Sequence, residues 1–250
     1  MKGVPRRQRG RPESVSDYLA EQRVWQHVPR NELKPLPYTK GVPGTLSAKR
    51  EIESKLLVDR LEDMLRRLRE IGAVPQSRVL ERNTLFDTPD SAVRRHGRLL
   101  RLRQQTSAPG HGLRGQPNSA FLTSKAPPTP VSAKGNKRIY KEVQEREEPV
   151  RDATRLTRTL KSLGFHPGFR YEKYRSSFRL RELHLDLDET PVGVFLELEG
   201  SPSAIDRTAL ALGYRSKEYI GATYWSLYAA ECRRRKVKLR NMLFTTQKSR

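Results

Sequence analysis

Short segments in which charged and apolar side chains alternate recur along this 250-residue chain. They constrain its fold more than any other feature, because side chains of a β-strand point alternately to the two faces of a sheet. In the first such segment, Ile52 and Leu56 share one face, and the opposite face carries Glu51, Glu53 and Lys55. The sequence therefore predicts strands with one apolar and one charged face.

Further segments repeat this alternation, and their charged faces carry acids or bases in blocks. An ordinary amphipathic strand with a solvated face explains any one of them. A solvated face, however, commonly mixes Thr, Ser, Gln and Lys, and the blocks depart from that mixture. The aligned positions are Arg101 and Arg103; Thr123 and Lys125; Arg138, Tyr140, Glu142 and Gln144; Lys173 and Arg175; His184, Asp186 and Asp188; and Glu197 and Glu199.

Amphipathic helices are predicted between the strands, with apolar stripes that include Leu61, Leu65 and Leu68 in one helix and Leu156 and Leu160 in another. If these helices cover the apolar face of the sheet, the charged face must look into a closed lumen. Such a lumen is stable only if acids and bases compensate each other or a charged ligand fills it. Like charges at i and i+2 lie about 7 Å apart, a spacing that suits polyphosphate oxygens or a shared cation.

The formal net charge of +22 is concentrated towards the two ends of the chain. Residues 1–47 have a net charge of +5 and residues 232–250 a net charge of +8. Residues 1–47 are also rich in Pro and Gly, so we predict a flexible basic extension there, a folded domain over 48–231, and a basic tail over 232–250. Contact of these tails with nucleic acid is one expected role.

Two further properties bear on location. No apolar run approaches the roughly 18 residues that a transmembrane helix needs, so no membrane partner is expected. Cys232 is the single cysteine, which excludes an internal disulfide and is typical of a reducing compartment. We therefore expect a cytoplasmic protein.

The order of the charged segments resembles one known family. Residues 51–55 form an ExExK strand, and an FDTP segment at 86–89, an Arg-x-Arg strand and a strand with one lysine follow. An LGF segment, a Lys-x-Arg strand, an LDE segment and a closing ELEG strand complete the series. In this order the segments resemble the CYTH superfamily, the triphosphate tunnel metalloenzymes, which include class IV adenylate cyclases, thiamine triphosphatases and inorganic triphosphatases. The resemblance covers about residues 48–231 and neither tail.

This resemblance implies an α+β fold in which helices cover a closed, antiparallel, eight-stranded β-barrel, the triphosphate tunnel. It implies Mg²⁺ or Mn²⁺ as cofactor and catalytic roles for Glu51, Glu53 and Lys55. The metal ligands that it implies are Glu51, Glu53, Asp188, Glu197 and Glu199, with Asp186 as an alternative to Asp188. The phosphate-binding residues that it implies are Lys55, Arg101, Arg103, Lys125, Arg138, Lys173 and Arg175.

One strand departs from the family pattern. The family often has Arg-x-Glu-x-Glu after the lysine strand, whereas this chain has Arg138-x-Tyr140-x-Glu142-x-Gln144. That face carries one carboxylate fewer, unless the register shifts so that Glu145 faces the lumen. The number of metal ions therefore stays open.

The predicted function is metal-dependent cleavage of a P–O bond in ATP, thiamine triphosphate or tripolyphosphate. Hydrolysis is favoured slightly over cyclisation to cyclic AMP and pyrophosphate, because the sequence shows no clear adenine pocket. A non-catalytic protein that binds polyphosphate or RNA is the alternative from another class. Its basic tail supports that alternative, and the acidic pairs argue against it, because carboxylates weaken anion binding unless a metal bridges them.

Overall fold

A computed structural model describes residues 49–127 and 140–245. The described residues fall into two compact units, of which residues 222–240 form the smaller. The larger unit contains the remaining described residues and is called the barrel unit below. Arg138, one of the predicted phosphate ligands, lies outside the described residues, as do the predicted extension over 1–47 and the last residues of the predicted tail.

Eight antiparallel strands close into a barrel in the order β1-β5-β4-β3-β2-β6-β7-β8. Their bounds are β1 Lys49–Val58, β2 Val74–Asp87, β3 Leu99–Ser107, β4 Ser119–Ala126, β5 Lys141–Pro149, β6 His166–Leu180, β7 Leu183–Thr190 and β8 Gly193–Glu199. Strands β1 and β8 pair with each other and so close the barrel. Closure confirms the fold class that was expected from the sequence.

The alternation in the sequence decides which side chains enter the barrel. In β7, Leu183, Leu185 and Leu187 are buried on the outer face beneath the helices. Asp186 and Asp188 occupy the intervening positions and therefore face the lumen. The apolar face of the sheet thus forms the core outside the barrel, and the charged face forms a polar interior.

Two helices cover the outer face of β1, β6, β7 and β8. Helix α1, Leu61–Glu70, follows β1, and helix α4, Pro202–Ala211, follows β8. The Ser201 hydroxyl caps α4 by accepting from the backbone N–H of Ala204. Their buried residues join one core cluster with the strand leucines; from the helices it includes Met64, Leu65, Leu68, Ala204, Ile205 and Ala209.

The outer face of β2, β3 and β4 is covered separately. A short helix, α2, spans Ala92–Arg95, and helix α3, Ala153–Ser162, joins β5 to β6. Asp152 caps α3 by accepting a 2.8 Å hydrogen bond from the backbone N–H of Arg155. Leu160 of α3 packs in a second core cluster with Phe86 and Leu102. Helices therefore cover two separate parts of the outer face of the barrel.

The strands are staggered, and short segments cover the edges that this leaves. The Ile220 N–H donates to the Lys55 carbonyl at 2.8 Å, where β1 extends beyond β5. Met242 covers β6 where that strand extends beyond β7: its N–H donates to Arg170 O, and its carbonyl accepts from Glu172 N–H, both at 2.9 Å. Met242 is fully buried.

The smaller unit contains helix α5, Tyr224–Arg234. The Thr223 hydroxyl caps its start by accepting from Ser226 N–H at 3.2 Å. Near its end, the Glu231 carboxylate accepts hydrogen bonds from Arg234 and Arg235. Within the described parts of the chain, no helix is long and apolar enough to cross a membrane.

Candidate active site

The predicted site residues that the structure describes all lie on the face of their strands that looks into the barrel. Backbone pairing places Glu53 opposite Glu199 and Lys55 opposite Glu197 across β1 and β8. The same faces of the other strands carry Arg101, Arg103, Lys125, Lys173, Arg175 and Asp188. The structure therefore brings these residues into one lumen.

The three residues of the ExExK strand are buried, and each is paired with an opposite charge. Lys55 Nζ lies 2.7 Å from a Glu197 carboxylate oxygen, and Lys125 Nζ lies 2.6 Å from Glu51. Glu53 pairs with Lys141 of β5. Burial by itself would raise the pKa of Glu53, but Lys141, with Lys55 and Lys125, outweighs it and holds that pKa below its usual range.

Glu51 behaves differently from Glu53. Burial and a hydrogen bond with the Glu145 carboxyl raise the pKa of Glu51 to about 9, although Lys125 opposes the shift. Two carboxyl groups within hydrogen-bonding distance share a proton, because two adjacent negative charges repel each other. Lys125 Nζ lies 2.6 Å from Glu51 and 3.2 Å from Glu145, so this pair already stabilises a cation.

A second group of charges joins β6, β7 and β8. Lys173 Nζ lies 2.8 Å from Asp188, and both side chains are almost fully buried. Arg175 pairs with Asp188, Asp186 and Glu197 at once. Glu199 sits nearer the rim, where its carboxylate pairs with exposed Lys49 at 2.6 Å. Of the acids predicted as metal ligands, Glu199 is thus the most accessible.

Strands β3 and β4 complete the basic lining. The Arg101 guanidinium donates to the Thr123 hydroxyl at 3.2 Å and lies 3.7 Å from Glu145. Arg103 pairs with Glu147 of β5 and, at 3.3 Å, with Glu81 of β2. These arginines therefore share their acidic partners with other lumen cations.

Strand β2, which was not predicted from the sequence, contributes Glu81 and Asn83 to the lumen. Both are buried, with Glu81 fully so, and backbone pairing places Glu81 opposite Lys173 and Asn83 opposite Tyr171. Charged residues lie on both faces of this strand, since Arg78 and Arg82 face outward, so no block of like charge marks the inner face. The one sequence signal for the inner face of β2 was the alternation counted back from Phe86 of the FDTP segment, which packs on the outer face.

The predicted inner face of β5 was wrong. Lys141 pairs with Glu53 and Glu145 with Lys125, so the odd-numbered residues of β5 face the lumen. Glu142 instead meets Arg50 at 2.7 Å on the outer face, and Tyr140 packs against the outer core. The alternative register with Glu145 inside is the one observed. A run of apolar and charged residues without clear alternation left both registers possible in the sequence.

The carboxylates fit a hard divalent cation in their chemistry. Mg²⁺ prefers oxygen ligands and is usually held by one or two carboxylates, with substrate phosphates and water completing its shell. Among the described residues, no three His, Cys, Asp or Glu side chains converge as a ready metal site. Pairs do lie close enough to interact, Glu51 with Glu145 and Glu53 with Glu197. A triphosphate would supply the remaining oxygens.

The ion pairs form one continuous chain around the lumen, in which acids and bases alternate. Each neighbour in this chain lies within 4.0 Å of the next. Its order is Glu51, Lys125, Glu145, Arg101, Glu147, Arg103, Glu81, Lys173, Asp188, Arg175, Glu197 and Lys55. Each cation in this chain thus has a carboxylate partner within the lumen.

Comparison with solved structures supports the fold. A protein of Vibrio parahaemolyticus described as a candidate adenylate cyclase matches with a TM-score of 0.59 and 17% identity, over 73% of this chain and 99% of that one. Two proteins of Pyrococcus horikoshii match with TM-scores of 0.57 and 0.55, at 20% and 23% identity. They cover 72% and 71% of this chain, and 99% and 98% of their own. At these identities the similarity concerns the fold alone.

Sequence comparison identifies the family. No curated protein matches the chain. The family model of the CYTH domain matches residues 49–211, which is most of the barrel unit and more than half of the chain. The resemblance inferred from the ExExK strand and its successors is thereby confirmed: the chain belongs to the CYTH domain family.

Proposed function

We propose that this protein cleaves a P–O bond in a triphosphate held in the barrel lumen, with Mg²⁺ or Mn²⁺ as cofactor and hydrolysis as the favoured reaction. The CYTH family consists of metal-dependent tunnel enzymes, and members are named as adenylate cyclases and triphosphatases. We also propose that it acts in the cytoplasm and that its basic ends contact nucleic acid.

The continuous chain of ion pairs around the lumen carries this proposal. Taking charges out of water is costly, and a buried ion pair often contributes little net stability. Lys173, Glu81 and Asp188 nevertheless lie together with almost no exposure. Such an arrangement suits a lumen that accepts a highly charged ligand. In the proposal, each carboxylate holds a cation in position until phosphate oxygens replace the carboxylate.

The residues have separate proposed roles. Arg101, Arg103, Lys125, Lys173 and Arg175 bind phosphoryl oxygens, and their fixed positive charge stabilises the charge that develops on the leaving phosphate. Arg138 remains a proposed phosphate ligand by family resemblance. Glu51, Glu53, Asp188, Glu197 and Glu199 hold the divalent cation, which when bound polarises phosphoryl oxygens.

Lys55 is proposed to act between these two groups. Its ammonium lies within reach of Glu197 and is also stabilised by Glu53 and Asp188, and these carboxylates hold its pKa above the usual range although burial would lower it. Lys55 therefore stays charged at neutral pH and can donate to a phosphoryl oxygen.

In hydrolysis, water attacks phosphorus, the P–O bond to the neighbouring phosphate breaks, and a lumen carboxylate takes the water proton.

The decisive experiment is a product analysis. The purified protein is incubated with ATP, tripolyphosphate or thiamine triphosphate, with Mg²⁺, with Mn²⁺ or with neither, and the products are separated. Hydrolysis gives phosphate and a diphosphate, whereas cyclisation gives cyclic AMP and pyrophosphate. Metal-dependent release of phosphate supports the proposal, and release of cyclic AMP favours the cyclase. Absence of any product with all three substrates refutes catalysis.

A non-catalytic protein that binds polyphosphate or RNA is the second candidate, and the +8 net charge of residues 232–250 favours it. The carboxylates along the lumen argue against it, because they would repel an anion in the absence of metal. A filter-binding measurement with single-stranded RNA, combined with the product analysis, separates the two. Tight RNA binding by a protein that cleaves no triphosphate would support this candidate.

A further inference from the structure

Asn83 occupies an unusual position in the lumen. It lies on the inner face of β2, between Arg103 of β3 and Tyr171 of β6, and is only 1% exposed. Neither its side-chain oxygen nor its side-chain nitrogen has a hydrogen-bond partner among the described residues. Buried polar groups are normally bonded, and leaving one unsatisfied costs free energy. Both amide atoms are therefore available to bond a ligand that enters the lumen.

The neighbouring arginines point to the same part of the lumen. The Nε atoms of Arg101 and Arg103 are buried and also have no hydrogen-bond partner in the described chain. Their other guanidinium nitrogens contact Thr123, Glu147 and Glu81. Two unsatisfied donors on the adjacent strand β3 therefore lie beside Asn83, although the ion pairs nearby are well formed.

The chemistry of Asn83 restricts what the ligand can be. The amide nitrogen only donates and the amide oxygen only accepts. The ionised oxygens of a bare triphosphate are acceptors, so they can satisfy the arginines and the amide nitrogen but not the amide oxygen. A ligand that satisfies both amide atoms must present, beside an acceptor, either a hydrogen-bond donor or a cation, because an amide oxygen also coordinates Mg²⁺. An inorganic triphosphate by itself has neither.

Aromatic side chains flank the same position. The rings of Phe169 and Tyr171 stack with centroids 5.7 Å apart and an interplanar angle of 20°. The Phe121 ring lies 5.7 Å from the guanidinium carbon of Arg103. Alternation along β4 and β6 places all three on the inner face, with Phe121 and Phe169 half-buried. Aromatic ring faces thus lie next to the Asn83 amide and the guanidinium groups of Arg101 and Arg103.

We infer that Asn83 is a specificity-determining residue that binds a planar, amino-substituted nitrogen heterocycle attached to the triphosphate. Such a heterocycle offers a ring nitrogen acceptor beside an amino donor, and its face stacks on aromatic rings. A nucleobase and the aminopyrimidine of thiamine both have this chemistry. The inference rests on the proposed function, because Arg101 and Arg103 must hold the phosphates next to Asn83.

Equilibrium binding tests the inference without turnover. Calorimetric titrations with ATP, thiamine triphosphate and tripolyphosphate are made in Ca²⁺, for the wild type, Asn83→Ala and a control, Thr84→Val, on the outer face of the same strand. We expect the wild type to bind ATP or thiamine triphosphate more tightly than tripolyphosphate. In Asn83→Ala that ratio of dissociation constants should fall about tenfold, as expected for lost hydrogen bonds to a buried amide, and in Thr84→Val it should not change.

The two hypotheses fail in different ways. If the wild type binds none of the three triphosphates, the phosphate site and with it the proposed function are refuted. If tripolyphosphate binds and the ratio is equal in the wild type and Asn83→Ala, only recognition by Asn83 is overturned. The ligand that loses most affinity identifies the heterocycle as a nucleobase or an aminopyrimidine.

A thermal melt without ligand gives an independent readout. Asn83→Leu replaces two unsatisfied buried atoms by an apolar side chain, so we expect its melting temperature to rise by about 3 °C. A purely structural asparagine would give the opposite sign. A fall in the melting temperature of both Asn83→Leu and Asn83→Ala would show that the amide stabilises the fold and would overturn its assignment to a ligand.

Discussion

Replacing Glu81 by glutamine tests whether the lumen depends on its buried acids. Glu81 is fully buried and its carboxylate lies 3.3 Å from Arg103, 3.5 Å from Lys173 and 2.9 Å from the Gln105 amide nitrogen. Removing one partner from a buried charge network costs about 3–5 kcal/mol. Arg103 retains Glu147 and Lys173 retains Asp188, so we expect the lower end, about 3 kcal/mol.

The stability loss should appear in a thermal melt at neutral pH and low salt. For a domain of this size, about 3 kcal/mol corresponds to a fall in melting temperature of roughly 6–12 °C. Glu142→Gln is the matched control, because Glu142 pairs with exposed Arg50 on the outer face and such pairs contribute about 0–1 kcal/mol. Tripolyphosphate should raise the melting temperature of Glu81→Gln more than that of the wild type, since the anion takes over the unpaired cations.

The pH dependence has a definite sign. Burial would raise the pKa of Glu81, but Lys173, Arg175 and Arg103 hold it well below its usual range. A lowered pKa contributes stability that is present above the unfolded-state value, about 4.3, and is lost as the pH falls through the folded-state value. Glu81→Gln should therefore lose less stability than the wild type below about pH 4. Equal melting temperatures in the two proteins at pH 7 would refute the buried network.

Three further outcomes are expected. In turnover assays, Glu53→Gln and Lys55→Ala should each lower the rate at least about a hundredfold, because each removes a charged contact in the transition state. Leu56→Val, on the outer face, should lower the rate only slightly. Similar losses of rate in all three variants would contradict the face assignment. In thermal melts, tripolyphosphate and Mg²⁺ together should raise the melting temperature by more than the sum of their separate effects, and Glu197→Gln should reduce the part of the rise that is due to the metal. Equal synergy in the wild type and in Glu197→Gln would argue against a metal–phosphate site. In rate measurements, a chain without residues 1–45 should keep its catalytic rate, because all barrel strands start at or after Lys49; a well-folded but inactive chain would place part of the site in the extension.

Strict alternation made most of the lumen predictable. In β1, β3, β7 and β8, charged residues occupy one face and mostly aliphatic residues the other, so the alternation along the strand identifies the inner residues. The apolar stripes of the predicted helices, such as Leu61, Leu65 and Leu68, also indicated that helices cover the apolar face of the sheet. Closure of the sheet into a barrel is then expected, because helices that cover its apolar face leave the charged face to line an interior.

The sequence failed where both faces of a strand are polar. On β5, Lys141, Glu145 and Glu147 enter the lumen, while Glu142 binds Arg50 outside, so either register gives a plausible charged face. On β2, Glu81 and Asn83 lie on either side of Arg82, which faces outward, as does Arg78. Asn83 in particular is recognised only in three dimensions, because an amide without a hydrogen-bond partner has no signature in composition or spacing.

The pairing of Met242 with β6 has a practical consequence for any shortened form of this protein. A chain that stops at residue 231, where the sequence pattern places the end of the folded domain, would bare the carbonyl of Arg170 and the N–H of Glu172. It would also open the pocket that buries Met242. Exposed strand edges beside an apolar surface pair with other chains. Such a fragment should therefore aggregate, and soluble fragments for crystallisation or assay should extend at least through Phe244, whose ring packs on Tyr174.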